Sequence, residues 1–209
     1  MKPPAKRRVS DRRPMLWPDE RAAQLAEFAI ALPLLVFFVV GIFDFSSAFT
    51  LKQKLTNIAR DAARGAAGGP ANDLLSPSLS APASVLDAFQ LIQGYFTANN
   101  LNLCGITAIN GPPSGLTWTV SGTSNGCPPP GLTITINRGY FLPSTGASLP
   151  PATCASPGPS GPGSLTVIAT CVSIQYAYQW RFGRVANLLG ARDTLPSQIT
   201  ATAVALNEN

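Results

Sequence analysis

Histidine is absent from the 209-residue sequence, and charged residues make up only 12% of it. The missing imidazole removes the side chain best suited to general-base work near neutral pH and a principal zinc ligand. Carboxylates are also scarce, with five acidic residues from Lys52 onward, and no Gly-rich phosphate loop or nucleophile beside a base is present. An enzyme is therefore not expected, and neither is a cofactor or a metal site. The four cysteines, Cys104, Cys127, Cys154 and Cys171, lack C-x-x-C spacing, which turns them from metal ligation toward disulfides. The net charge of +5 is no nucleic-acid signature: seven of the fifteen basic residues (Lys2, Lys6, Arg7, Arg8, Arg12, Arg13, Arg21) precede residue 22, and the other eight are scattered among the five acids.

Against this background the long apolar run stands out. The 24 residues between Glu27 and Lys52 carry one charge, Asp44. As a helix they would reach about 36 Å, enough for a hydrocarbon core of about 30 Å. The basic residues ahead of the run predict a single pass with the N-terminus cytoplasmic, because Lys and Arg flanking a span stay inside. All four cysteines then lie on the outer side. Past Lys52 the pattern narrows to a stripe, Leu51, Leu55, Ile58, Ala59, Ala62, Ala63 and Ala66, which predicts an amphipathic continuation of the helix. Gly68-Gly69-Pro70 ends it.

Several short segments together carry a family resemblance: Ala23-Gln24-Leu25-Ala26-Glu27-Phe28, Ala31-Leu32-Pro33-Leu34-Leu35, Gly41-Ile42-Phe43-Asp44-Phe45 and Ala59-Arg60-Asp61-Ala62-Ala63-Arg64. Residues 22 to 67 resemble the TadE-like pseudopilins of tight-adherence (Flp-type) pilus systems. A weaker echo lies in 167 to 178, 185 to 190 and 199 to 206. The resemblance implies a minor pseudopilin in a bacterial inner membrane, taking part in assembly of a surface pilus or in secretion. Its implied partners are a prepilin-type peptidase cutting between Ala22 and Ala23, and other pilins or pseudopilins packed along the N-terminal helix. Glu27, with Phe28 beside it, would set subunit register by pairing with a neighbour's new N-terminal amine. Removing one member of such a pair, if buried, costs about 3–5 kcal/mol. The family usually has Gly where Ala22 stands. Pro33 and Gly41 are expected to shape helix bending and packing. Asp44, an ionisable residue in a span, either has a partner or reaches water at the outer end. Two rivals remain: an unprocessed anchored protein for adhesion or binding at the surface, and an exported soluble domain released by a twin-arginine signal or by a cut after Ala48.

The segments are expected to be a basic leader (1–22), a transmembrane helix (23–51), a helical stem (52–67) and an outer α+β domain (70–209), giving a lollipop shape with an antiparallel sheet. Ser84 is the expected N-cap of a helix over 85–99 with Leu86, Phe89, Ile92 (or Gln93) and Phe96 on one face. Alternating runs predict strands at 106–109, 116–121 and 132–137, and a loop covers 142–163. Along 165–182 the even positions Ile168, Val172, Ile174, Tyr176, Tyr178, Trp180 and Phe182 are apolar or aromatic, while Ser173, Gln175, Gln179 and Arg181 occupy the other face. Tyr176, Tyr178 and Trp180 therefore either pack in the core or form an interface with the membrane or another subunit. The apolar stretch from Phe182 to Leu189, set among arginines, supports the membrane reading. Four cysteines allow three pairings. The nearest-neighbour one, Cys104 with Cys127 and Cys154 with Cys171, closes loops of about twenty residues, each worth about 3 kcal/mol by chain entropy.

Overall fold

The computed structural model describes residues 20–74, 81–109, 114–142, 153–155, 167–181, 183 and 195–208. The expectations for the leader before residue 20, most of the 142–163 loop and the 184–190 segment lie outside them. Helix α1 (Glu20–Ala67) runs through Pro33 and on to the residue before Gly68. Gly68 and Gly69 close it by donating to the carbonyls of Arg64 and Ala66 at 3.0 and 3.1 Å. A Cβ on Gly69 would lie 2.6 Å from Ser84 Cβ, so the chain passes its neighbour at a distance only glycine permits. A 3₁₀ turn over Ala71–Leu74 follows, then helix α2 (Ala83–Ala98).

Among the described residues, four antiparallel strands follow: β1 (Thr117–Gly122), β2 (Leu132–Leu142), β3 (Val167–Ala177) and β4 (Gln198–Leu206), ordered β1-β2-β3-β4. The chain is thus α+β, with one long apolar N-terminal helix and one antiparallel sheet. The register sets rows of side chains across the strands. Trp118, Ile136, Val172 and Ala203 form one row, and Val120, Ile134, Ile174 and Ala201 the next. With two-residue alternation, both rows share a face. That face packs in one core with Leu55, Ile58, Ala59, Ala62 and Ala66 of α1 and Val85, Phe89, Ile92 and Phe96 of α2. Each large aliphatic or aromatic chain buried there contributes about 1.5–3 kcal/mol.

The opposite face carries hydroxyl pairs, Thr119 with Thr135 at 3.3 Å and Ser121 with Thr133 at 3.0 Å. It also carries a small cluster of Tyr140, Cys154, Ala169 and Cys171. Ser173, on the face opposite the apolar row, is buried on this side and accepts from Thr202 at 3.4 Å. The turn before β2 uses Gly131 at φ +88°, where a Cβ would fall 2.1 Å from Gly122 O.

Four local expectations need correction. The N-cap of α2 is Pro82, with no side-chain cap bond, and Ser84 is buried within the helix. Leu86 lies outside the buried stripe of Val85, Ala88, Phe89, Ile92 and Phe96, because it is one residue, about 100°, round the helix from Val85. Residues 106–109 are not a strand; Ile106 and Ile109 reach the core from irregular chain. Strand β2 continues to Leu142 past a register shift between Asn137 and Tyr140. A bulge lets a strand continue after its alternation breaks.

Candidate assembly helix and aromatic cluster

The chain divides into two units between Ile42 and Phe43. In the first, the described side chains from Ala23 to Ile42 are nearly all exposed and none is buried. Ala23, Glu27, Phe28 and Pro33 are exposed and Gly41 is half-buried; the Ala22 side chain is outside the description. The helix is long and apolar enough to cross a membrane. An α-helix satisfies its own backbone polar groups, which is what a lipid surround requires. Proline at 33 leaves the Ala29 carbonyl without its usual helical donor.

In the second unit the same helix is gripped on one side. Asp44 is 4% exposed, and the buried series continues through Ala48, Leu55, Ile58 and Ala59. The Tyr178 hydroxyl donates to Asp44 Oδ1 at 3.0 Å and lies 3.1 Å from its backbone carbonyl. Asp44 thus has a partner within its own chain rather than open water. The Tyr178 pKa is pushed up to about 12, first by burial, then by the hydrogen bond and charge of Asp44, with Arg181 and Ser47 acting the other way.

Just past the end of β3, the Trp180 ring lies 4.9 Å from Tyr178 and 5.1 Å from Phe45. The Trp180 indole N–H donates to Pro196 O at 2.7 Å. Tyr176 turns toward α2, its ring 5.9 Å from Phe96 and its hydroxyl accepting from the Asn102 N–H at 3.3 Å. The three aromatics therefore divide: Tyr176 belongs to the core contact with α2, whereas Tyr178 and Trp180 meet α1. Beyond them the Lys52 ammonium donates to Thr200 O. Desolvation there lowers its pKa, although the residue as a whole is exposed.

Arg138 is the residue that pattern reading missed. It is 1% exposed, at the β2 irregularity, and its guanidinium donates to Ala66 O, to Gly69 O at 3.1 Å and to Thr170 Oγ1 at 3.3 Å. These carbonyls lie at and just beyond the C-terminus of α1, where helix carbonyls are left over and a cation is favoured. Its backbone joins the same network: Asn207 Nδ2 donates to Arg138 O at 3.2 Å, and Arg138 N donates to Leu116 O at 2.9 Å. The available signal was the Asn137-Arg138-Gly139 interruption of an alternating strand.

The disulfides are Cys104–Cys127 and Cys154–Cys171. The first ties the chain after α2 to the β1–β2 turn, and the second fastens residue 154 to the central strand β3. Both are structural, and all four thiols are consumed.

Compared with known proteins, residues 22–64 match the family model described as TadE-like protein. The match supports the family assignment and covers the apolar helix with most of its packed continuation. No curated protein and no solved structure matches the chain.

Proposed function

We propose that this chain, TadE-like over residues 22–64, is a non-catalytic minor pseudopilin anchored by a single pass and acting in assembly of a surface pilus. The carrying observation is that the matched segment coincides with a helix whose apolar side chains from Phe28 to Phe43 are exposed, Phe37 half-exposed. Such a surface suits lipid before assembly and neighbouring helices after it. In this reading the N-terminus is cytoplasmic and the disulfide-bearing domain outside. A prepilin-type peptidase cuts between Ala22 and Ala23, and Glu27 meets the new amine of a neighbouring pilin or pseudopilin. The outer domain contributes recognition, not catalysis.

The test is the N-terminus of protein purified from cells with an active prepilin peptidase, by sequencing and intact mass. The expected start is Ala23. The Glu27→Ala variant is expected to be cut but to be lost from the assembly, and Ala22→Gly to be cut at least as well as the native chain. Alanine at 22, where the family usually carries Gly, favours a second reading as a permanently anchored surface protein for adhesion or binding. An intact Met1 end selects that reading, and a start at Phe49 selects an exported domain.

A further inference from the structure

The packed unit begins at Phe43, well before the apolar run ends at Leu51. Counting from Phe28, about 20 helical residues fill a hydrocarbon core of about 30 Å. The outer boundary then falls near Ser47. Asp44, Phe45, Tyr178 and Trp180, which contact one another, therefore lie where acyl chains give way to headgroups.

The chemistry of this patch suits that depth. Phe45 and Phe49, one turn apart, are 56% and 65% exposed. Trp180 meets Phe45 at a tilt of 58° while remaining half-exposed, and Arg181 beside it is exposed. Lys52 follows Phe49 by three residues, on the same side of the helix. Aromatics at one level with cations just beyond it are the arrangement that membrane interfaces favour. Four polar side chains at this level are satisfied internally. Ser47 and Thr50 donate to the carbonyls of Phe43 and Ser46, both at 2.9 Å, Trp180 donates to Pro196 O, and Tyr178 donates to Asp44.

We propose that Phe45, Phe49, Tyr178 and Trp180, with Lys52 and Arg181 as the cationic rim, form a collar that seats the base of the outer domain in the headgroup layer of a phospholipid bilayer. The patch is apolar and aromatic at its centre, and its cations match lipid phosphate. The domain is thereby held at fixed depth on the membrane, with Asp44 covered by Tyr178 instead of facing lipid. The proposal rests on the membrane anchoring in the preceding section but not on processing or polymerisation.

The test uses the full chain in vesicles of phosphatidylcholine and phosphatidylglycerol, with tryptophan emission quenched by lipids brominated at different depths. Subtracting the Trp180→Phe variant isolates Trp180 from Trp17 and Trp118. The expected difference signal is quenched most by bromines high on the acyl chain, less by those near the chain ends, and little by aqueous iodide. Phe45→Ser with Phe49→Ser should lose that lipid quenching and gain iodide quenching. A difference signal quenched by iodide alone overturns the collar. One quenched by neither agent also overturns it and identifies a protein-to-protein contact. Protein that fails to float with the vesicles overturns the anchoring as well, whereas floating protein with a water-quenched Trp180 breaks the collar only.

Discussion

Leu35 and Leu55 sit on the same helix, five and a half turns apart, and are 63% and 0% exposed. Around Leu35 the residues are large and apolar on every side of the helix. Around Leu55 they form a stripe that narrows to Ala59, Ala62, Ala63 and Ala66. Small side chains let other elements come close, and the core of the second unit closes on that stripe. Large apolar chains all round leave no polar side for water, which is the pattern of a helix meant for lipid or for many neighbours. Helix propensity does not separate the two halves; the angular distribution of side-chain size and polarity does.

The largest expected effect is at Leu55. Leu55→Ala should lower the unfolding free energy of the second unit by about 2–5 kcal/mol, whereas Leu35→Ala should change it by less than about 0.5 kcal/mol. Denaturant titration in mild detergent, followed by the emission of buried Trp118, measures both. Equal effects would erase the contrast between the halves.

Arg138→Met sharpens the comparison at the end of the packed half. It leaves the carbonyls of Ala66 and Gly69 without this donor and should cost about 2–3 kcal/mol. Arg64→Met, on the exposed side of α1, should stay within about 0.5 kcal/mol. If the two arginines behaved alike, the buried cap would have no energetic role.

The smallest effect is at the first packed turn, where Tyr178→Phe removes the hydrogen bond to Asp44 and should cost about 1 kcal/mol. Its pH dependence has a definite sign. The Tyr178 pKa rises from its ordinary value of 10.0 to about 12, so the folded chain holds this proton more tightly than the unfolded chain. The resulting stability is complete below pH about 10 and is lost as pH climbs toward 12. The gap between native protein and Tyr178→Phe should be flat from about pH 7 to 9 and narrow above about 10. Tyrosinate absorbance should show a late-titrating group that the variant lacks. A gap widening with alkalinity would refute the assignment.

These variants separate two kinds of information. Stripes and alternations were legible because each is a local repeat. The packed face of α1, the Leu132, Ile134 and Ile136 row and the stop at Gly68 follow from residue order alone. Where sequence reading failed, a distant element had intervened. Ser84 looks like a cap until Gly69 is found against its Cβ. Residues 106–109 read as a short strand, but the disulfide turn at Cys104 and the core take Ile106 and Ile109 without ladder pairing. Tyr176, Tyr178 and Trp180 share a face, yet they go to α2 and to α1 because the chain leaves the sheet after Ala177.

By itself, then, the sequence determined that the first half of α1 is apolar on all sides, that the second half is striped, that the rest supports an antiparallel sheet, and that the cysteines are suited to bridges. Those properties depend on side-chain period and composition, which are present before any folding occurs. Only the tertiary structure decided that burial starts at Asp44, inside the apolar run, that Tyr178 covers Asp44, and that Arg138 caps the helix across 72 residues of chain. A buried polar group is stable only where donors and acceptors converge, and those that meet Asp44 and Arg138 come from Tyr178 just past β3, from Thr170 in β3 and from the end of α1, far away in the sequence.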